Sequence, residues 1–290
     1  MQILALVKRP SILIGIGFVV IIGAAVAAYR YFYFPQVHDW NSVRITLERT
    51  QCFGSCPDYK IEIRGDGTVT YTGLEYVAIP GQHHGRVSPT TVHQLVDAFR
   101  SARYFHLHDV YASRINDYPT YRTSITFDGI HKSVLDYAGE RASPPMPSTV
   151  TELEETIDRL AGTQKWLCGN AETVPNLVAE GWDFKSPEAA HASVLARVAI
   201  CGDARSVQDL VAASAPLETR YVETGMTALV TAARGGNIEM VRVLLEAGAG
   251  SSDPSEKGEA LKWAAERGKL DIVQLLLKFG AKNPEGSLQK

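Results

Sequence analysis

Four cysteines and eight histidines carry most of the reactive chemistry available to this chain. Cys52 and Cys56 stand in the segment Arg49-Thr50-Gln51-Cys52-Phe53-Gly54-Ser55-Cys56-Pro57-Asp58-Tyr59, where three chemistries compete. Four residues of extended strand would hold the two Cα atoms about 13 Å apart, whereas a disulfide needs them within about 7 Å. A bridge therefore requires the chain to reverse at Phe53-Gly54-Ser55, and the glycine permits it. In an oxidising compartment this disulfide is the expected state, and its small ring is worth about 2 kcal/mol in the chain-entropy picture. The second chemistry is a metal site completed by His83 and His84, which read as part of a glycine-flanked loop; the regular second pair of zinc ligands is missing. The third, a redox-active pair, ranks last, because the two-residue spacing and βαβ setting of such motifs are absent.

Acid–base chemistry has its own candidates in His106, His108, Asp109, Asp117 and His131. The run His106-Leu107-His108-Asp109 could form a metal or proton-transfer cluster. Against this, the chain has no Gly-x-Ser-x-Gly elbow, no phosphate loop and no helix with paired zinc ligands. Histidines near strand and helix ends are more often plain surface or hydrogen-bonding residues. No catalytic, cofactor or metal residue is therefore assigned, and no small-molecule substrate is expected. The net charge of −3, with no Lys/Arg cluster, argues against a general nucleic-acid binder.

The elements around these residues, within 35–162, read as an α+β domain. Alternation at Val43-Ile45-Leu47, Tyr59-Ile61-Ile63 and Val69-Tyr71 predicts half-buried strands, with Gly65-Asp66-Gly67 turning the second into the third. Ser88-Pro89 opens a helix with the stripe Val92, Leu95, Val96 and Phe99. Asp128-Gly129 marks a hairpin between Ile125-Phe127 and Val134-Leu135. Ser148 caps a last helix bearing Val150, Leu153, Ile157 and Leu160, which ends near Gly162. This order predicts two layers with an antiparallel sheet. The Cys-x-Gly-x-Cys-Pro-x-Tyr pattern, with the later Asp66-Gly67 and Tyr71-Thr72-Gly73, resembles a bacterial domain family of unknown function over about residues 42–160. The resemblance implies a domain boundary and no activity.

Residues 163–284 follow a different rule. AARGGNIEMVRVLLEAGA, 232–249, and AAERGKLDIVQLLLKFGA, 264–281, repeat at an offset of 32. Gly236 and Gly268 anchor the two units, and Gly202 and Gly169 continue the series backward. Apolar positions recur as Val174-Leu177-Val178, Val207-Leu210-Val211, Val241-Leu244-Leu245 and Val273-Leu276-Leu277, each set on one helical face. Gly181, Gly248 and Gly280 follow the helix ends, where a left-handed residue is needed; Ser214 takes that place once. The run Gly225-Met226-Thr227-Ala228-Leu229 through Ala249 resembles the ankyrin repeat, without the family's usual proline and histidine. It implies an all-α solenoid of about three and a half units, followed by a tail at 285–290. The resemblance also implies protein binding at hairpin tips and inner-helix ends, here Thr224, Met226, Arg234, Glu256, Glu266 and Arg267. Cys168 and Cys201 precede equivalent repeat glycines, so they should stand one helix spacing apart, about 8–10 Å. That is too far to bridge, and both are expected to be reduced. The linker between the two domains is nearly absent, which makes Trp166 the residue expected to join them into one rigid body.

No charged residue occurs from Pro10 to Tyr29, a run long enough to cross a hydrocarbon core as a helix. Residues 1–34 are thus read as a cytoplasmic stub and transmembrane anchor. Lys8 and Arg9 precede the run, Arg30 alone follows closely, and the aromatics Tyr29 to Phe34 suit a headgroup region. The charge bias directs the rest of the chain outward, into a bacterial periplasm; signal-peptide cleavage near Ala27 would deliver it to the same side. The resulting expectation is a membrane-anchored protein–protein interaction module of the cell envelope and not an enzyme. An envelope enzyme or metal-binding protein acting through the α+β domain, and a purely structural envelope protein, are the alternatives.

Overall fold

The computed structural model describes residues 33–282. The apolar run at 10–29 lies outside the described residues. Among the described residues no helix is long and apolar enough to cross a membrane.

The first layer is a seven-stranded sheet built from β1 (Arg44–Arg49), β2 (Asp58–Arg64), β3 (Thr68–Glu75), β4 (Gly81–Arg86), β5 (Val110–Ala112), β6 (Thr120–Phe127) and β7 (Ile130–Tyr137). Their order is β4-β3-β2-β1-β6-β7-β5. Every pair is antiparallel except β5 with β7, so the expected antiparallel sheet carries one parallel edge. Register follows the alternation. Ile45, Leu47, Ile61, Ile63, Val69, Tyr71, Ile125 and Phe127 are buried on one face. The opposite face carries Thr46 beside Ser124, their hydroxyls 2.6 Å apart, and a Lys60–Glu48 ion pair. A one-residue slip would exchange these sets, which is why the pattern fixes the pairing.

Two helices cover the apolar face, α1 (Pro89–Ser101) and α2 (Ser148–Ala161). The Ser88 Oγ accepts from the Thr91 amide and caps α1. At α2 the cap position is Pro147, with no side-chain cap, and Ser148 is the first helical residue, its hydroxyl donating to Glu152. Two strands escaped the sequence reading. β4 has the composition of a loop, Gly-Gln-His-His-Gly-Arg, yet pairs with β3 along its whole length, so His83 and His84 are strand residues. β5 is only three residues long.

The second region is helical: α3 (Gln164–Leu167), α4 (Thr173–Ala179), α5 (Ala189–Ala192), α6 (Val194–Cys201), α7 (Ala204–Ala212), α8 (Ala228–Gly235), α9 (Ile238–Glu246), α10 (Pro254–Glu266) and α11 (Leu270–Lys278). The inner helices α6, α8 and α10 stack in a row, as do the outer helices α7, α9 and α11. Buried alanines at 228, 232, 233, 260 and 264 allow the close inner approach. Asp203, Thr227, Asn237 and Asp253 cap four of the helices with side-chain oxygens. Ser214 holds a φ of +67°, the left-handed position that Gly181, Gly248 and Gly280 occupy elsewhere. The apolar stripe is buried in the central outer helices, but Val178 and Leu277 are exposed, because the terminal helices have a neighbour on one side only.

The two regions share one apolar core. Trp166 is fully buried and stacks on Tyr71, ring centroids 5.0 Å apart. Its indole N–H donates to Asn176 Oδ1 at 2.7 Å, and the Asn176 amide donates to the His84 carbonyl at 2.9 Å. The Ala78 and Ile79 amides donate to the Leu167 and Trp166 carbonyls. Trp166 joins the domains as the short linker implied.

Cys168 and Cys201 are disulfide-bonded, with Cα atoms 5.1 Å apart, against the expectation that both are reduced. The repeat equivalence fails at this point because α3 is held against the sheet by the Leu167 and Trp166 carbonyls, so it does not stack on α6 as an inner helix. The end of α3 is drawn close to the end of α6: a Cβ on Gly202 would stand 2.7 Å from the Cys168 carbonyl oxygen. Only glycine allows that approach.

Candidate interaction groove

A groove of about 970 Å³ runs between the α+β domain and the inner side of the helical stack. One wall is the loop carrying Cys52 and Cys56, which are disulfide-bonded with Cα atoms 5.5 Å apart. The turn at Phe53-Gly54-Ser55 closes the ring through a Gly54 φ of +134°. Phe53 at its tip is 87% exposed. With Ile200, also exposed, it puts apolar surface on both walls of one cleft. Tyr76, Val77 and Ala78 after β3 continue this wall, and the Cys168–Cys201 bridge forms part of the floor.

The opposite wall is the helical stack. Thr224, Met226, Arg234 and Arg267, all marked in the sequence, line it together with Ile200, Tyr221 and Glu223. Thr224 Oγ1 accepts from the Met226 amide at 3.3 Å in a tight hairpin closed by the Tyr221 amide to the Met226 carbonyl. Met226 is nearly buried, its sulfur 3.8 Å from Arg234 Nη1. The Arg234 guanidinium lies 4.9 Å over the Trp263 ring. Two marked residues fall elsewhere. Glu266 is exposed and pairs with Lys262 along α10. Glu256, expected on the surface, is 1% exposed. It sits in the first turn of α10, where the stack covers it, and burial raises its carboxyl pKa while Thr227 and the Gly250 amide oppose the rise.

Arg197 is not among the residues that the repeat register points to. It is 6% exposed on α6 and lines the groove. Its Nε donates to the Ala78 carbonyl at 2.8 Å, Nη2 donates to the Ala190 carbonyl, and the guanidinium lies over the Tyr221 ring. Burial lowers its pKa, while Tyr221 and Glu223 pull it back. The heptapeptide Val194-Leu195-Ala196-Arg197-Val198-Ala199-Ile200 held the signal: one charge in an otherwise apolar inner helix.

The histidine and aspartate candidates do not converge. His83 Nδ1 lies 2.6 Å from Glu180 Oε2, and its Nε2 lies 3.0 Å from the Pro80 carbonyl, so it belongs to the domain seam. The His84 amide donates to the same carboxylate. His106 lies against the Tyr33 carbonyl, His108 against the Tyr111 ring, Asp109 on Lys132 and His131 on Thr126. Asp117 is a loop residue with φ +72°. With Cys52 and Cys56 joined, their proposed metal site with His83 and His84 is lost. Among the described residues no group of three or more His, Cys, Asp or Glu could hold a metal ion.

A smaller acidic cleft of about 310 Å³ lies beside α2, lined by Asp136, Glu154, Asp158 and Arg49. Burial first, then the charges of Asp136, Asp158 and Glu155, push Glu154 up to about 8. Burial also raises Asp136 and Asp158, and Tyr59 donates to Asp158 at 2.5 Å. Glu154 falls four residues after Val150, on the apolar stripe, which makes its burial legible in the helical spacing.

Residues 43–161 match a family described as a domain of unknown function, DUF6438. Residues 167–285 match ankyrin repeats in three copies. The chain is a DUF6438 domain followed by ankyrin repeats. The boundary between the two matches falls at α3, where Trp166 enters the DUF6438 core. No curated relative matches the chain. The matched span takes in the helices from α4 to α11, and the ankyrin repeats support a protein–protein interaction module.

Proposed function

We propose that this protein is a membrane-anchored interaction protein of the bacterial cell envelope, holding a partner protein in the groove between its DUF6438 domain and its ankyrin repeats. The observation that carries the reading is the meeting of two walls. The hairpin and inner-helix ends used by ankyrin stacks face the disulfide-closed Phe53 loop across one cleft. A composite cleft of this kind positions contact groups from two rigid elements before any partner arrives, which lowers the ordering cost of binding.

The envelope location is supported by two features. Every cysteine of the chain is paired, as expected where thiols are oxidised. The uncharged run at 10–29, with Lys8 and Arg9 before it, has the length and flank of an outward-directing anchor.

Site-specific photo-cross-linking in cells tests the groove. A photoreactive residue at Phe53 or Ile200 should give a discrete protein adduct, and one at Val178, at least as exposed as Ile200 but outside the groove, should not. Equal adducts from all three positions, or none from Phe53 and Ile200, would remove the reading.

A further inference from the structure

The groove is lined by three arginines, Arg197, Arg234 and Arg267, against a single carboxylate, Glu223. None of the three forms an ion pair with any described residue, although most of the ion pairs in the fold use arginine. Arg197 is the most telling of them. A charge removed from water is costly unless it is paired, and buried arginines are accordingly paired as a rule. The two carbonyls of Ala78 and Ala190 satisfy Nε and Nη2 but carry no net charge, and Nη1 forms no hydrogen bond with any described residue. Glu223 acts on Arg197 from a distance and is engaged with Tyr221. The folded chain thus holds a largely buried guanidinium at the wall of an open cleft, with Nη1 unbonded and facing that cleft.

Resting on the reading of this groove as the partner site, we propose that it selects an acidic peptide segment of the partner, seating a carboxylate side chain on Arg197 and further carboxylates on Arg234 and Arg267. A carboxylate arriving at Arg197 gains a charge-assisted hydrogen bond while most of the guanidinium has already lost its water on folding. Arg234 and Arg267, at the ends of the inner helices α8 and α10, extend the same positive field along the cleft. Arg234 is held over the Trp263 ring with Nη1 on the Met226 sulfur, which leaves its other donors to contact a carboxylate. Phe53 and Ile200, both largely exposed on the same cleft, supply the apolar contact between the charged positions. The segment is therefore acidic with interspersed apolar side chains, and charge repulsion excludes basic segments.

The test is selection from a phage-displayed random peptide library against the full-length protein in detergent micelles, beside the Arg234→Gln/Arg267→Gln variant. Both substitutions lie at partly or fully exposed positions, and an unchanged melting curve confirms that the variant folds. The wild type should enrich peptides rich in Asp and Glu, and a selected peptide should bind the variant about tenfold or more weakly, with a shallower dependence on salt. Arg197→Lys, which keeps the charge but loses the planar fork, should weaken the same peptide while leaving the acidic preference in place. Enrichment of neutral or basic peptides, or equal binding by the double variant, overturns the charge selection. Displacement of the peptide by citrate alone at the same molar concentration shows a small-anion site and also overturns it. If groove cross-links to a partner persist in any of those cases, the groove reading stands and only its acidic preference falls. If neither cross-links nor selected peptides are obtained, both fail.

Discussion

Replacing Cys168 and Cys201 together by serine should destabilise the protein more than replacing Cys52 and Cys56. The two bridges close loops of very different length, with sequence separations of 33 and 4. In the chain-entropy picture the longer loop removes about 3.7 kcal/mol of freedom from the unfolded chain and the shorter about 2 kcal/mol. The longer bridge also spans the junction, since α3 rests on the DUF6438 sheet and Cys201 ends the first inner helix. For a chain of this size about 3.7 kcal/mol corresponds to a melting temperature lower by roughly 10 °C. Urea unfolding of the two double-serine variants beside the wild type, under oxidising conditions, reads the difference directly as a shift in midpoint at constant slope. Adding reductant to the wild type should give the sum of the two losses, and should cost the Cys168→Ser/Cys201→Ser variant only the smaller one. Two results would refute the reasoning: free thiols at Cys168 and Cys201 in the oxidised protein by mass spectrometry, or a Cys52→Ser/Cys56→Ser variant at least as unstable as the other.

Three further outcomes follow from the packing. Glu154 titrates near 8 in the folded protein and near its ordinary 4.5 when unfolded, so the folded state binds the extra proton and stability falls as pH rises across that window. Glu154→Gln should therefore match the wild type near pH 4 and exceed it at pH 9, by as much as about 5 kcal/mol for a fully buried group; urea midpoints at the two pH values test this, and an equal gap at both contradicts it. Ser214→Gly should stabilise by about 0.5–1 kcal/mol, because serine bears a left-handed backbone that glycine adopts freely; calorimetry would show a higher melting temperature, and a lower one counts against the assignment. Trp166→Ala should cost about 4 kcal/mol and leave Asn176 without its indole partner. It should also split one unfolding transition into two, whereas a single transition of wild-type sharpness would mean that the seam does not couple the domains.

Much of the fold was legible because its signals are local. Alternation at Val43-Ile45-Leu47 and Tyr59-Ile61-Ile63 placed β1 and β2. The Ser88-Pro89 cap placed α1, and the recurring glycines placed the helix pairs of the ankyrin stack. β4 was not legible, since Gly-Gln-His-His-Gly-Arg has neither apolar alternation nor strand propensity; its pairing with β3 and the seam contacts of His83 and His84 hold it extended. Four groove residues, Thr224, Met226, Arg234 and Arg267, were legible from the repeat register, because equivalent positions in a stack face the same side. Glu256 was misplaced by that same register, which gives position along a helix but not what covers it.

By itself the sequence determined the periods: two-residue alternation for one domain, a repeat of about 33 residues for the other, with the Ser88 cap of α1 and the glycines that close repeat helices. These depend on neighbours a few positions apart, so any reading of the chain meets them. Only the tertiary structure decided the pairing of Cys168 with Cys201, the seating of Arg197 on the Ala78 carbonyl and the meeting of the Phe53 loop with the ankyrin hairpins. Each of those depends on how α3 and Trp166 dock on the sheet. That docking is set by packing and hydrogen bonds between segments far apart in the chain, to which no local pattern answers.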